Sequence, residues 1–177
     1  MRRFVLPIAL LLGVYLDSIF FARVNISGVR PDTLMAVIVS YGVLAGSLGC
    51  GLLGLGMGLF MDILFGKYIG LSAIGYMFAG LVGGIFYQKF YADNVIIPAA
   101  VAAVSVLVKE HIMMLAVRLS GGAFSYGQMF GLYVVPCMLV TVALTALVHI
   151  VLKRALARQV KTEHRAGRRA ASGGDLK

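Results

Sequence analysis

Five titratable side chains interrupt otherwise apolar stretches of this sequence: Asp17, Asp62, and the run Lys109-Glu110-His111. A charge placed centrally in a hydrocarbon-spanning helix costs roughly 2.5–3.5 kcal/mol on insertion scales, so each needs a partner or a task. Three kinds of chemistry fit three carboxylates beside a lysine and a histidine. They can pair to hold helices together, they can dock the transmembrane helix of a partner, or they can relay protons or a polar substrate. The residues alone leave all three open. No nucleophile with a neighbouring base, no metal-ligand set and no phosphate loop accompanies them, so no cofactor is implied. Gly49-Cys50-Gly51-Leu52-Leu53-Gly54 matches the dinucleotide-binding pattern literally. It follows no strand and lacks a ribose-binding acid in a βαβ context, so it is read as helix packing.

The elements that must position these side chains follow from the apolar runs. The chain has 177 residues, 60% hydrophobic and 13% charged, with 22 glycines and a mean hydropathy of +0.95. A bilayer core of roughly 30 Å takes about 20 apolar residues per helix, so almost everything from Phe4 to Leu152 is membrane material. Spans are expected at about 4–22, 33–47, 50–65, 68–88, 95–117 and 128–152, an all-α bundle of six transmembrane helices. Residues 33–65 as one helix would be about 50 Å long; the glycine-rich Gly46-Ser47-Leu48-Gly49-Cys50-Gly51 offers the turn that divides them. Asp32 is placed to cap the second span, and Ser125-Tyr126-Gly127-Gln128 has capping-box spacing for the last. Pro136 is expected to kink that last helix, and His149 is expected at its inner interface. Met1-Arg2-Arg3 before an apolar run imitates a signal peptide, but no small-x-small cleavage site follows, so it is read as an uncleaved first helix.

Charge placement orients the bundle. Arg2, Arg3, Lys89 and the eight basic residues of the segment 153–177 fall on one side, and Arg23, Arg30, Lys67 and Arg118 on the other. Eleven against four puts both termini in the cytoplasm. The basic segment is expected as a solvated cytoplasmic tail that attracts anionic lipid headgroups; with no aromatic residues among its charges it does not suit nucleic acid. Cys50 and Cys137, each inside an apolar run, read as small buried hydrophobes, without a disulfide framework.

In spans one, three and five, Asp17, Asp62 and Glu110 lie about 13 to 15 residues from the inner end, roughly 20 Å up. Lys109 and His111 share that level, and Arg118 could reach down to it. One polar cluster under the outer surface is the expectation: Asp17, Asp62, Lys109, Glu110 and His111. Small residues recur four apart, at Gly42/Gly46, Gly54/Gly58, Gly66/Gly70 and Gly80/Gly84. Such pairs let helix backbones approach closely in lipid, so the third and fourth spans should form the tightly packed heart of the fold.

Arg30-Pro31-Asp32 at the second span, the run from Gly54 through Gly58, Asp62 and Gly66 to Gly70, and then Ala73, Tyr76 and Gly80 resemble the rod-shape-determining membrane protein family MreD. The resemblance covers roughly residues 1–155, with Asp62 between two glycine-spaced halves as its sharpest element; Lys109-Glu110-His111 departs from it. It implies a non-enzymatic assembly protein of the bacterial cytoplasmic membrane, acting in cell elongation. The implied partners are the single-span protein MreC and, through it, the peptidoglycan polymerase RodA, a class B penicillin-binding transpeptidase and cytoskeletal MreB. The architecture it implies is similar to the substrate-binding S components of energy-coupling-factor transporters. That similarity supplies the second reading, capture of a small molecule near Tyr15, Tyr126 and the acidic cluster, although the outer loops are short. An enzyme acting on lipid-linked substrates is a distant third.

Overall fold

Helices form over the apolar runs and end where glycine or a capping side chain interrupts them. The structure, a computed structural model, describes residues 2–20, 30–46, 48–66, 68–87, 94–123 and 125–173. Six principal helices run through it: α1 (Arg2–Tyr15), α2 (Thr33–Ala45), α3 (Leu48–Phe65), α4 (Leu71–Ile85), α5 (Ile96–Leu119) and α6 (Val135–Gly173). The described residues contain no strand. A π-helical turn, Leu16–Phe20, closes α1; a one-turn helix, Tyr126–Met129, and a second π-helical turn, Phe130–Val134, lead into α6. The cations Arg23, Lys67 and Lys89, and the polar links that carry them, lie outside the described residues.

The expected division of 33–65 falls at Gly46. Its backbone takes φ +48°, and its N–H donates to the Gly42 carbonyl at 2.9 Å; left-handed backbone of this kind favours glycine. A Cβ at Gly46 would also run into the ring of Tyr87. Pro136 stands in the first turn of α6, directly after the π-helical turn Phe130–Val134. The carbonyl that its ring would crowd, four residues back at Leu132, lies inside the π-helical turn, which widens the helix there. Ser125 stands at the N-cap of Tyr126–Met129 but makes no side-chain capping bond, so the expected capping box is absent. Beyond the span, α6 continues to Gly173. The basic segment from Lys153 is thus largely a helical extension, in keeping with its alanines and lack of proline.

α2 is the centre of the bundle. Every residue from Pro31 to Ser40 is buried, because α1, α4, α5 and α6 all pack on it. Around it, α4 lies between α3 and α5, and α6 lies between α5 and α1. The closest approach is α3 on α4: a Cβ on Gly58 would come within 2.5 Å of Ala73 Cα, and one on Gly54 or Gly80 would meet the carbonyl of Tyr76 or Cys50. Gly66 and Gly70 do different work from helix packing. Gly66 donates its N–H to the Asp62 carbonyl at 2.9 Å, and Gly70 takes φ +96° with open space around it. Gly84 accepts from Tyr87 N–H at the end of α4.

Polar groups are buried within a mainly apolar core, and many large apolar side chains face outward. Ser40, Ser105, Thr141, Thr145 and His149 are fully buried, while Leu11, Leu52, Ile63, Leu132, Leu139 and Leu147 are exposed. His149 is therefore an interior residue and not the interfacial one expected, since α6 turns that face toward the bundle. Ile96–Leu119 and Tyr126–Ala155 are long and apolar enough to cross a bilayer; Pro7–Ser18, Thr33–Ala45, Gly49–Phe65 and Leu71–Ile85 are apolar but shorter. An apolar exterior around a core that keeps its polar groups inside is what a hydrocarbon solvent selects, because surface burial gives little reward there while polar groups must be satisfied internally.

Candidate functional site

The first four N–H groups of any α-helix lack intrahelical partners, and α2 begins inside the bundle, away from water. Its answer draws on two carboxylates. Asp17, in the π-helical turn that ends α1, accepts from Thr33 N–H through Oδ1 and from Leu34 N–H through Oδ2, each at 2.8 Å. Asp32, the N-cap, accepts from Met35 N–H at 2.8 Å, and its own carbonyl accepts from Ala36 N–H at 3.2 Å. The Ala36 bond is the first within the helix; with the Asp32 N–H, which donates to Thr141 Oγ1, the four N–H groups from Asp32 to Met35 are accounted for. Two carboxylates at a helix N-terminus also meet its positive dipole end.

Asp32 is the hub of a wider network. Tyr76 Oη, from α4, donates to the two carboxylate oxygens at 2.9 and 3.0 Å. Lys109 Nζ, from α5, forms an ion pair and charge-assisted hydrogen bond with Asp32 Oδ2. The Asp32 N–H donates to Thr141 Oγ1, from α6, at 3.1 Å. Next to it, the Cys137 thiol donates to the Arg30 carbonyl at 3.0 Å. α4, α5 and α6 therefore all grip the short segment Arg30-Pro31-Asp32, in which Pro31 and Asp32 are buried and Arg30 is exposed, while Asp17 holds the two residues that follow it.

Lys109 stretches along α4 to reach Asp32. Gly75 makes room for its stem, since a Cβ there would come within 2.6 Å of Lys109 Cγ, and the ammonium sits 5.2 Å from the centre of the Tyr76 ring. Its second carboxylate is Glu110, at 3.6 Å. Glu110 is 8% exposed. Beside this network lies a cavity of about 240 Å³, with Asp17, Ser18, Asp32, Lys109 and Glu110 on its polar side. Pro31, Met61, Phe65 and Tyr133 supply apolar wall, and Arg30 stands at the mouth. A buried pair with this many hydrogen bonds can hold five elements in register, and its free carboxylate edge can receive a donor.

Of the five residues expected to cluster, Asp17, Lys109 and Glu110 come together; Asp62 and His111 do not. Asp62 is buried but committed elsewhere. Its Oδ2 accepts from Gly70, Ser72 and Ala73 N–H at 2.9, 3.0 and 3.3 Å, capping the start of α4. His111 lies on the outward face of α5, because successive helical residues turn by about 100°. Its Nδ1 sits 2.8 Å from the Leu107 carbonyl, and its ring meets Tyr126 and Phe130 edge-on. Arg118 is exposed beside Gly121, Gly122 and Ala123, and forms none of the ion pairs among the described residues.

Asp32 and Tyr76 are the members that the sequence reading missed as partners. Asp32 opens α2 and Lys109 lies well inside α5, far apart in sequence, and only the packing of the two helices brings them together. No three His, Cys, Asp or Glu side chains among the described residues gather into a metal-binding group.

The model of the family described as rod shape-determining protein MreD matches residues 1–157. No curated protein and no solved structure matches the chain.

Proposed function

Since the chain belongs to the MreD family of rod shape-determining proteins, a role in rod-shape determination follows, and we propose that it acts there as a non-enzymatic membrane scaffold. In this reading it crosses the cytoplasmic membrane six times with both termini in the cytoplasm. It binds an MreC-like single-span protein and helps couple MreB to peptidoglycan synthesis by RodA and its class B transpeptidase. The basic extension of α6 lies against anionic lipid.

The observation that carries this reading is the convergence of Tyr76, Lys109 and Thr141, from three helices, on Asp32, with Asp17 bonded to the next two residues of α2, which fixes a polar site at the start of that helix. A scaffold needs such a fixed feature, because shape recognition between helices in lipid depends on packing and interhelical hydrogen bonds. The cavity lends some support to the second reading, a transporter component that captures a small molecule. At about 240 Å³ it is smaller than the roughly 300–1,000 Å³ of sites for drug-sized ligands, which favours a group of side-chain size.

Affinity purification of the full chain in mild detergent tests the proposal. An MreC-like protein should co-purify, and rod shape should fail when the chain is depleted. Recovery of energy-coupling ATPases with their membrane scaffold, and no MreC-like protein, would replace the scaffold reading with the transporter one.

A further inference from the structure

We propose that the cavity beside Glu110 receives the guanidinium of an arginine side chain from a membrane partner; the inference rests on the scaffold reading above and names what that scaffold grips. The first observation is an imbalance of charge. Asp17, Asp32 and Glu110 face the cavity with Lys109 as the one interior cation, and Arg30 at the mouth forms no ion pair among the described residues. The second is the state of Glu110. Asp17 accepts from two backbone N–H groups, one on each oxygen, and Asp32 from Met35 N–H, Tyr76 and Lys109. Glu110, with 8% of its surface exposed, receives no hydrogen bond among the described residues; its partner is Lys109 at 3.6 Å, and that ammonium is already engaged with Asp32. A largely buried carboxylate that shares its one counter-ion with a second carboxylate still has acceptor capacity for a donor, and this one borders an open space.

The walls identify the missing donor. A cavity lined by carboxylates and by Pro31, Met61, Phe65 and Tyr133 suits a chain with an apolar stem and a cationic tip. Arginine carries its charge on a planar fork that can present two parallel N–H donors to one carboxylate, and its guanidinium stacks on aromatic faces such as those of Phe65 and Tyr133. A compact ammonium would use neither feature.

The test uses the purified full chain in detergent with n-butylguanidinium as probe and neutral n-butylurea as its isostere. Saturable binding, read as a thermal shift, should be at least tenfold tighter for n-butylguanidinium, and Glu110→Gln should remove that preference. Equal binding of the two, or no saturable binding of either, overturns the inference; this comparison needs only the unmodified chain, so it holds even if Glu110→Gln fails to fold. A second arm identifies the source: n-butylguanidinium, and not n-butylurea, should release the partner that co-purifies. A partner that stays bound under saturating probe overturns the inference and leaves the scaffold reading intact. A chain that captures no partner removes the scaffold reading, and with it the arginine source named here.

Discussion

Lys109 and Asp32, 77 positions apart, form a buried ion pair at the point where α2 enters the bundle. The pair matters because Asp32 is at once the cap of α2, the acceptor for Tyr76 and the counter-ion of Lys109. Removing one member strands the other in a low-dielectric interior, at a cost of about 3–5 kcal/mol, whereas removing both leaves no orphan charge. Lys109→Met should therefore reduce folded protein in the membrane more than Lys109→Met combined with Asp32→Asn. Thermal unfolding in detergent across the full double-mutant cycle measures the coupling. Strict additivity would mean that the two residues act independently.

Asp62 should behave as a local cap. Asp62→Ala removes three N–H acceptor contacts at the start of α4 and should lower stability by about 1–2 kcal/mol, at the strong end for a lost N-cap. Its effect should add to that of Lys109→Met, because the two residues share no partner. Non-additivity beyond about 0.5 kcal/mol would restore Asp62 to the cluster.

Gly58 lies against the backbone of Ala73, whereas Leu59, next to it, is 39% exposed. Gly58→Leu should separate α3 from α4 and sharply reduce the monodisperse fraction on size-exclusion chromatography. Leu59→Ala should change it little. Comparable losses from both would mean that the α3–α4 approach does not constrain the fold.

The charge asymmetry predicts the topology. A reporter fused after Arg165 should be active on the cytoplasmic side, and one inserted within residues 120–125 on the opposite side. Both reporting from one side would exclude six spans with cytoplasmic termini.

The sequence makes the helical class, the break between α2 and α3 and the α3–α4 glycine contact legible, because apolar length, left-handed backbone and missing side-chain volume are properties of residue type. It also marks Asp17, Lys109 and Glu110 as charges needing company. It does not reveal how they are paired. Asp62 and Asp32 have the same side chain and both stand at helix ends, and only the path of the chain decides that one meets three backbone N–H groups while the other meets Lys109. His111 is separated from Glu110 by a single residue step, yet that step turns it out of the bundle. Tyr76 looks like one more aromatic in an apolar helix until its hydroxyl is seen to point at Asp32.

The hydrogen bond from Asp32 N–H to Thr141, 109 positions later, has a consequence for how the protein is made. Synthesis proceeds from the N-terminus, so α2 emerges with Asp32 long before Tyr76, Lys109 and Thr141 exist. The carboxylate finds its partners with α4 and α5, but the N–H must wait for α6. A chain that stops before its last helix therefore leaves this N–H without its acceptor in the middle of the bundle, so the centre of the fold is completed only by the final segment to be made.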